Sequence, residues 1–170
     1  MQTEVLIFEP NGWVPNNPAR PVLIYRAVRE RGDCETTASA FEALFASHGW
    51  LPRWRDTVFD YHHYHSTAHE VLGIARGSAC LMLGGPGGRT IEVTAGDALV
   101  VPVGVGHCRV DGDTDFLVVG AYPAGYDWDI CREAPSESER ARILALPIPH
   151  EDPVEGRGGT LVRIWNLRYD

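Results

Sequence analysis

The stretch TVFDYHHYHSTAHEVLGIARG at residues 57–77, followed by GDALVVPVGVGH at residues 96–107, decides how this chain folds. The first places His63 and His65 two residues apart, so on extended backbone both imidazoles leave the same face. Tyr61 shares that parity, whereas His62 and Tyr64 take the other. Four residues separate His65 from Glu70, enough for a turn that brings the carboxylate opposite the histidine pair and leaves His69 pointing away. A third imidazole, His107, lies about forty residues further on. Only a fold that brings distant strands together can place it beside the others, and a small antiparallel barrel with inward-facing alternate residues does so. Gly96-Asp97 reads as the turn launching a strand toward Pro102, and Gly104 and Gly106 supply the permissive backbone that presents His107 inward.

Working outward, the pattern from Asp56 to about Tyr122 is strand, turn, strand. The spacing predicts strands over 56–65, 70–75, 79–83, 90–94, 98–102, 108–110 and 116–121, with Gly84-Gly85-Pro86-Gly87-Gly88 as a hairpin loop. Residues 11–21 form an irregular, proline-punctuated lead-in, and 21–28 a strand. Phe41, Leu44, Phe45 and His48 recur at helical spacing before Gly49, which predicts a helix over 37–48. A second helix is predicted over 136–146, opened by Ser136 or Ser138 and closed by Pro147 and Pro149. Thr160 to Trp165 alternates apolar and polar residues and is expected to be a last strand docked on the barrel.

The 170 residues suffice for one domain with its own core, and neither a linker nor a solenoid repeat divides them. With 18 glycines and 12 prolines, turns are frequent and strands short. A net charge of −8 opposes nucleic-acid or anionic-membrane binding, which would require a basic face. No secretory signal pattern opens the chain and no apolar run has the length of a membrane span. Cys34, Cys80, Cys108 and Cys131 lack zinc-ribbon spacing and are expected as reduced thiols in a cytoplasmic protein.

Taken singly, these residues are ordinary: histidine clusters occur on surfaces, and a lone glutamate is usually solvated. Jointly, the two blocks resemble the cupin motifs. The first cupin motif runs Gly, five residues, His-x-His, three or four residues, Glu, six residues, Gly; here His63, His65, Glu70 and Gly77 match, and Thr57 stands for the leading glycine. The second runs Gly, five residues, Pro-x-Gly, two residues, His, three residues, Asn; Gly96, Pro102, Gly104 and His107 match, and Asp111 replaces the asparagine. The wider text, including Gly120-Ala121-Tyr122-Pro123, resembles the YjlB-like single-domain bacterial cupins. The resemblance implies an all-β fold, a double-stranded β-helix or jelly-roll barrel over about 54–122, with a few peripheral helices and with N- and C-terminal extensions packed on it within one domain of residues 1–170.

The resemblance also implies that His63, His65, Glu70 and His107 hold one divalent transition metal per chain. Imidazole suits iron, nickel, copper and zinc, and the carboxylate oxygen favours iron or manganese; iron is the first expectation. Four protein donors leave an octahedral ion two positions for oxygen or a chelating substrate. The leading expectation is thus an iron dioxygenase-like enzyme acting on a small organic substrate, with Tyr61 and Arg109 as candidate substrate contacts. A non-catalytic binder of a small molecule or metal, and a cupin isomerase or decarboxylase, are the alternatives. A homodimer paired through 21–28 and 160–165 is the expected assembly.

Overall fold

The computed structural model describes residues 1–167. In chain order its elements are β1 (Gln2–Leu6), β2 (Val22–Arg26), α1 (Cys34–Ser47), β3 (Trp50–Asp56), β4 (Glu70–Arg76), β5 (Ser78–Leu83), β6 (Arg89–Thr94), β7 (Ala98–Val101), β8 (His107–Gly112), β9 (Leu117–Pro123), α2 (Glu137–Ala145) and α3 (Thr160–Trp165). They form a six-stranded sheet ordered β1-β2-β7-β4-β9-β3 and a three-stranded sheet ordered β6-β5-β8. Every strand pairing is antiparallel, and the two sheets face each other as a jelly-roll barrel.

The apolar run in β4 explains the layering. Leu72 and Ile74 join Leu81, Leu83, Ile91, Val93, Leu99 and Val118 in the core between the sheets. Val71 and Ala75, of opposite parity, pack outward against Phe41 and Phe45 of α1 and Leu161 and Trp165 of α3. A strand covered on both faces needs apolar residues at nearly every position, which is why β4, β7 and β9 read as continuous hydrophobic runs. On the barrel-facing parity of β4, two residues before Leu72, stands Glu70. A carboxylate there is the exception to an otherwise apolar lining.

Both long helices start where side chains satisfy their free amide groups. Asp33 caps α1 by accepting from Thr36 N at 3.0 Å, and Ser136 opens α2 with a reciprocal capping box to Glu139. Helix α1 lies on the outer face of the large sheet, and α2 packs through Ile143 against Val14, Tyr64 and Val103.

Three expectations are corrected. Residues 160–165 form a helix: Leu161 and Trp165, four apart, share one helical face and are buried together, while Asp152 accepts the Leu161 amide and the Trp165 indole donates to Pro21 O at 3.0 Å. Over six residues the alternation of Leu161 to Trp165 fits a strand as readily as a helix. The strand expected over 56–65 ends at Asp56; it begins instead at Trp50, and residues 57–65 run irregularly with only isolated bridges at His63 and Tyr64. Lastly, neither surface expected to mediate pairing is a sheet edge. Strand β2 lies between β1 and β7, so the large sheet's edges are β1 and β3.

Candidate metal centre

His63 reaches the barrel mouth on irregular backbone, but a bridge sets its position. It exchanges two main-chain hydrogen bonds with His107, the first residue of β8: His63 N to His107 O at 3.3 Å and His107 N to His63 O at 2.9 Å. The adjacent Tyr64 is tied likewise to Cys131, through Tyr64 N to Cys131 O at 3.0 Å and the return bond at 2.9 Å. Alternation therefore holds locally between 63 and 65 although no long strand contains them. Gly104, at φ +90°, makes the turn before His107; a Cβ there would sit 2.7 Å from Asn16 O.

Of the four expected donors, the three histidines cluster, and Glu70 lies against two of them, His65 and His107. One ligand atom from each of His63, His65 and His107 lies within 4.8 Å of the others, and Glu70 Oε2 is 3.2 Å from His65 Nε2 and 3.1 Å from His107 Nε2. All four residues are at most 5% exposed. Each imidazole donates Nδ1–H to a main-chain carbonyl: His63 to Tyr61 O at 3.0 Å, His107 to Val105 O at 3.1 Å, and His65 to Asp129 O. A carbonyl can only accept, so the tautomer is fixed and Nε2 is the nitrogen left to face the centre.

Three Nε2 atoms and a carboxylate oxygen converging in a buried space repel one another unless a positive charge sits among them. Burial, with the neighbouring His107, lowers the His63 pKa to about 3. Burial also opposes ionisation of Glu70, yet His65 and His107 outweigh it and hold that carboxyl well below its usual range. Against its own burial, His65 is raised by the Glu70 charge. A proton is thus drawn to the His65–Glu70 pair. A divalent cation satisfies all four donors at once, and the donor set fits one.

Glu70 is itself oriented. Tyr122 donates to Oε1 at 2.6 Å and accepts from the Trp54 indole at 2.8 Å, which leaves Oε2 for the centre. Burial and the nearby Glu70 charge raise the Tyr122 pKa, keeping it a phenol. Trp54 lies over Gly120, where a Cβ would come within 2.0 Å of the indole ring. Behind His65, Asp129 accepts from Ser66 N at 2.6 Å and from the Ser66 hydroxyl, and Arg142 of α2 donates to Ser66 O at 3.0 Å.

A cavity of about 210 Å³ opens onto the four donors. Trp54, Val58, Phe59, Leu72, Tyr122, Trp128 and Ile130 form most of its wall, with Asp56 and Thr57 beside them. Tyr61 and Arg109 are not among the lining residues. Tyr61 stacks on Phe59 and lies under the Arg132 guanidinium, and Arg109 follows His107 on β8 with its Nε buried and, among the described residues, without a hydrogen-bond partner. Nor do the remaining clustered histidines join the set. His69 accepts from Val103 N at 3.0 Å and contacts Pro147 O, whereas His62 is only partly buried.

The residues that sequence reasoning missed are Tyr122, Trp54 and Trp128. For Tyr122 a signal existed: the parity of Val118, continued through Gly120, reaches it one residue past the expected end of its strand. Trp128 sits in a loop, where no periodicity points inward.

No family model matches the chain. The uncharacterised protein YjlB of Bacillus subtilis (strain 168) is 38% identical over 167 residues, spanning 96% of this chain and 97% of its own. A solved structure of acireductone dioxygenase from Bacillus anthracis, with a cadmium ion in its active centre, overlaps 61% of this chain and 70% of its own at 18% identity and a TM-score of 0.41. With its jelly-roll barrel, its His-x-His and its identity along nearly the whole of YjlB, the chain belongs to the YjlB-like family of single-domain cupins.

Proposed function

We propose that the protein is a metal-dependent enzyme of the iron dioxygenase kind, acting on a small organic substrate that enters the cavity above His63, His65, Glu70 and His107. The observation that supports this reading is the fixed tautomer of all three imidazoles, which leaves three clustered Nε2 atoms free for a metal, with Glu70 Oε2 beside those of His65 and His107. When bound there, a divalent metal supplies a Lewis acid with positions left for exogenous ligands. The chain contributes the remainder: Tyr122 holds Glu70, Asp129 holds His65, and the apolar wall excludes water from the reacting face. Iron best fits three imidazoles with one carboxylate, and manganese, nickel, zinc and copper are the alternatives that metal analysis of untagged protein distinguishes.

Oxygen uptake by the iron-loaded protein across thiols, diketones and phenolic acids tests the reaction class. Substrate-dependent uptake is expected. Turnover without uptake would assign an isomerase or decarboxylase, and tight binding with no turnover a carrier. The four unpaired cysteines support a reducing, cytoplasmic setting. A homodimer remains the proposed assembly, now through the β1 edge, where Val5 is exposed and Ile7 follows the strand end exposed as well; a monomeric mass in light scattering would overturn it.

A further inference from the structure

The wall of the metal cavity carries a chemical preference. Among the described residues that line it are four aromatic side chains, Trp54, Phe59, Tyr122 and Trp128, and no Arg. Trp128 and Tyr122 are parallel within 2° at a centroid separation of 4.5 Å, and the Arg53 guanidinium lies 5.2 Å from the Trp128 ring. The loop bearing Trp128 is tied down at the next residue by the Asp129–Ser66 hydrogen bonds, so this stacked aromatic pair is preformed in the wall. Aromatic walls favour flat apolar ligands, through area burial and edge-to-face contacts between rings.

Charge narrows the choice. Apart from the histidines, the charged lining residues are Asp56 and Glu70, both acidic. A divalent ion on Glu70 leaves one net positive charge at the floor, which one anionic head group neutralises. A second anionic group on the ligand would find no cation among the described lining residues, only the Asp56 carboxylate, because the Arg53 guanidinium over Trp128 does not line the cavity and is paired with Asp127 at 2.7 Å.

We propose that the site takes a flat aromatic or conjugated molecule with one anionic, metal-binding head and an otherwise uncharged body, and that Trp128 sets this preference. The inference rests on the metal-centre reading above and names the ligand class for that same site.

Hydroxamates keep the metal-binding head constant while the body changes. Binding of acetohydroxamate, benzohydroxamate and 4-carboxybenzohydroxamate to zinc-loaded protein, measured by calorimetry beside metal content, separates the contributions. Benzohydroxamate is expected to bind at least about tenfold more tightly than acetohydroxamate, and the added carboxylate to cost about tenfold. Trp128→Ala removes the aromatic preference with metal content unchanged, and Trp128→Phe keeps most of it. Equal affinity for the two uncharged bodies overturns the proposal, as does undiminished affinity for the carboxylate form. A Trp128→Ala variant that retains the full preference overturns the role given to Trp128. Protein that holds metal yet binds none of the three also overturns the proposal, whereas protein that takes up no stoichiometric metal fails the metal-centre reading itself.

Discussion

Tyr122 hydroxyl and Glu70 Oε1 are 2.6 Å apart, a phenol donating to a buried carboxylate that turns its other oxygen toward the imidazoles of His65 and His107. Tyr122→Phe removes the donor and leaves Oε1 buried without it. Metal affinity is expected to fall about 10- to 100-fold, as for other groups that orient a metal ligand. Competition with a fluorescent chelator measures this, and unchanged affinity would remove Tyr122 from the site.

His65→Ala or His107→Ala should abolish most metal binding, while His62→Ala should leave it intact. The contrast follows from orientation, since His65 and His107 face Glu70 Oε2 and His62 does not. Metal content of the purified variants decides it. Retention of metal by both single-ligand variants would dismiss the centre.

Gly120→Ala places a methyl group where the Trp54 indole lies, 2.0 Å from its nearest ring carbon. Overpacking of this kind costs about 1–3 kcal/mol. It also pushes Trp54 away from Tyr122, so loss of stability in urea and weaker metal binding should appear together. A stable variant with normal metal affinity would show that the indole moves freely.

Arg55 holds Glu42 through two hydrogen bonds of 2.6 and 2.8 Å and Glu35 through one of 2.8 Å, and it lowers both carboxyl pKa values. A carboxylate with a lowered folded-state pKa stabilises the fold above its unfolded pKa, and that stabilisation disappears as pH falls through the folded value. Arg55→Gln should therefore reduce Tm near neutral pH, modestly because the group is largely solvated, and make no difference once both carboxyls are protonated. High salt should shrink the neutral-pH effect. A Tm difference that persists in acid would place the role of Arg55 in packing.

What could be read in the sequence follows from where periodicity carries information. His63, His65, Glu70 and His107 were legible because their spacing survives in local backbone geometry, even though the strand expected through 56–65 ends at Asp56. The β4, β7 and β9 strands were legible as apolar runs. Thr160–Trp165 was misread because six residues contain fewer than two helical turns, so one buried pair, Leu161 and Trp165, must outvote an accidental alternation. The Gln2–Leu6 strand passed unnoticed because its partial exposure at the sheet edge leaves little apolar signal. Tyr61 and Arg109 share the ligands' strand parity and neither lines the cavity. Tyr61 lies on irregular backbone, where parity does not carry, whereas Arg109 keeps its register with His107, since the β5–β8 shift falls beyond it at Val110, and parity alone does not say how far along the strand the cavity reaches.

The paired main-chain hydrogen bonds between His63 and His107 give the metal a mechanical part to play. Each residue belongs to a different stretch of chain, one irregular and one the start of β8. An ion gripping both imidazoles works as a staple across a seam otherwise held by those two bonds and by Arg109 N to Phe59 O and Gly104 N to His65 O on either side. Ligation then stabilises the folded chain in proportion to the logarithm of free metal, and the first part of the protein to loosen on chelation is the mouth of the barrel. Amide exchange at His63, Tyr64 and His107 should quicken when metal is withdrawn, well before the apolar interior responds.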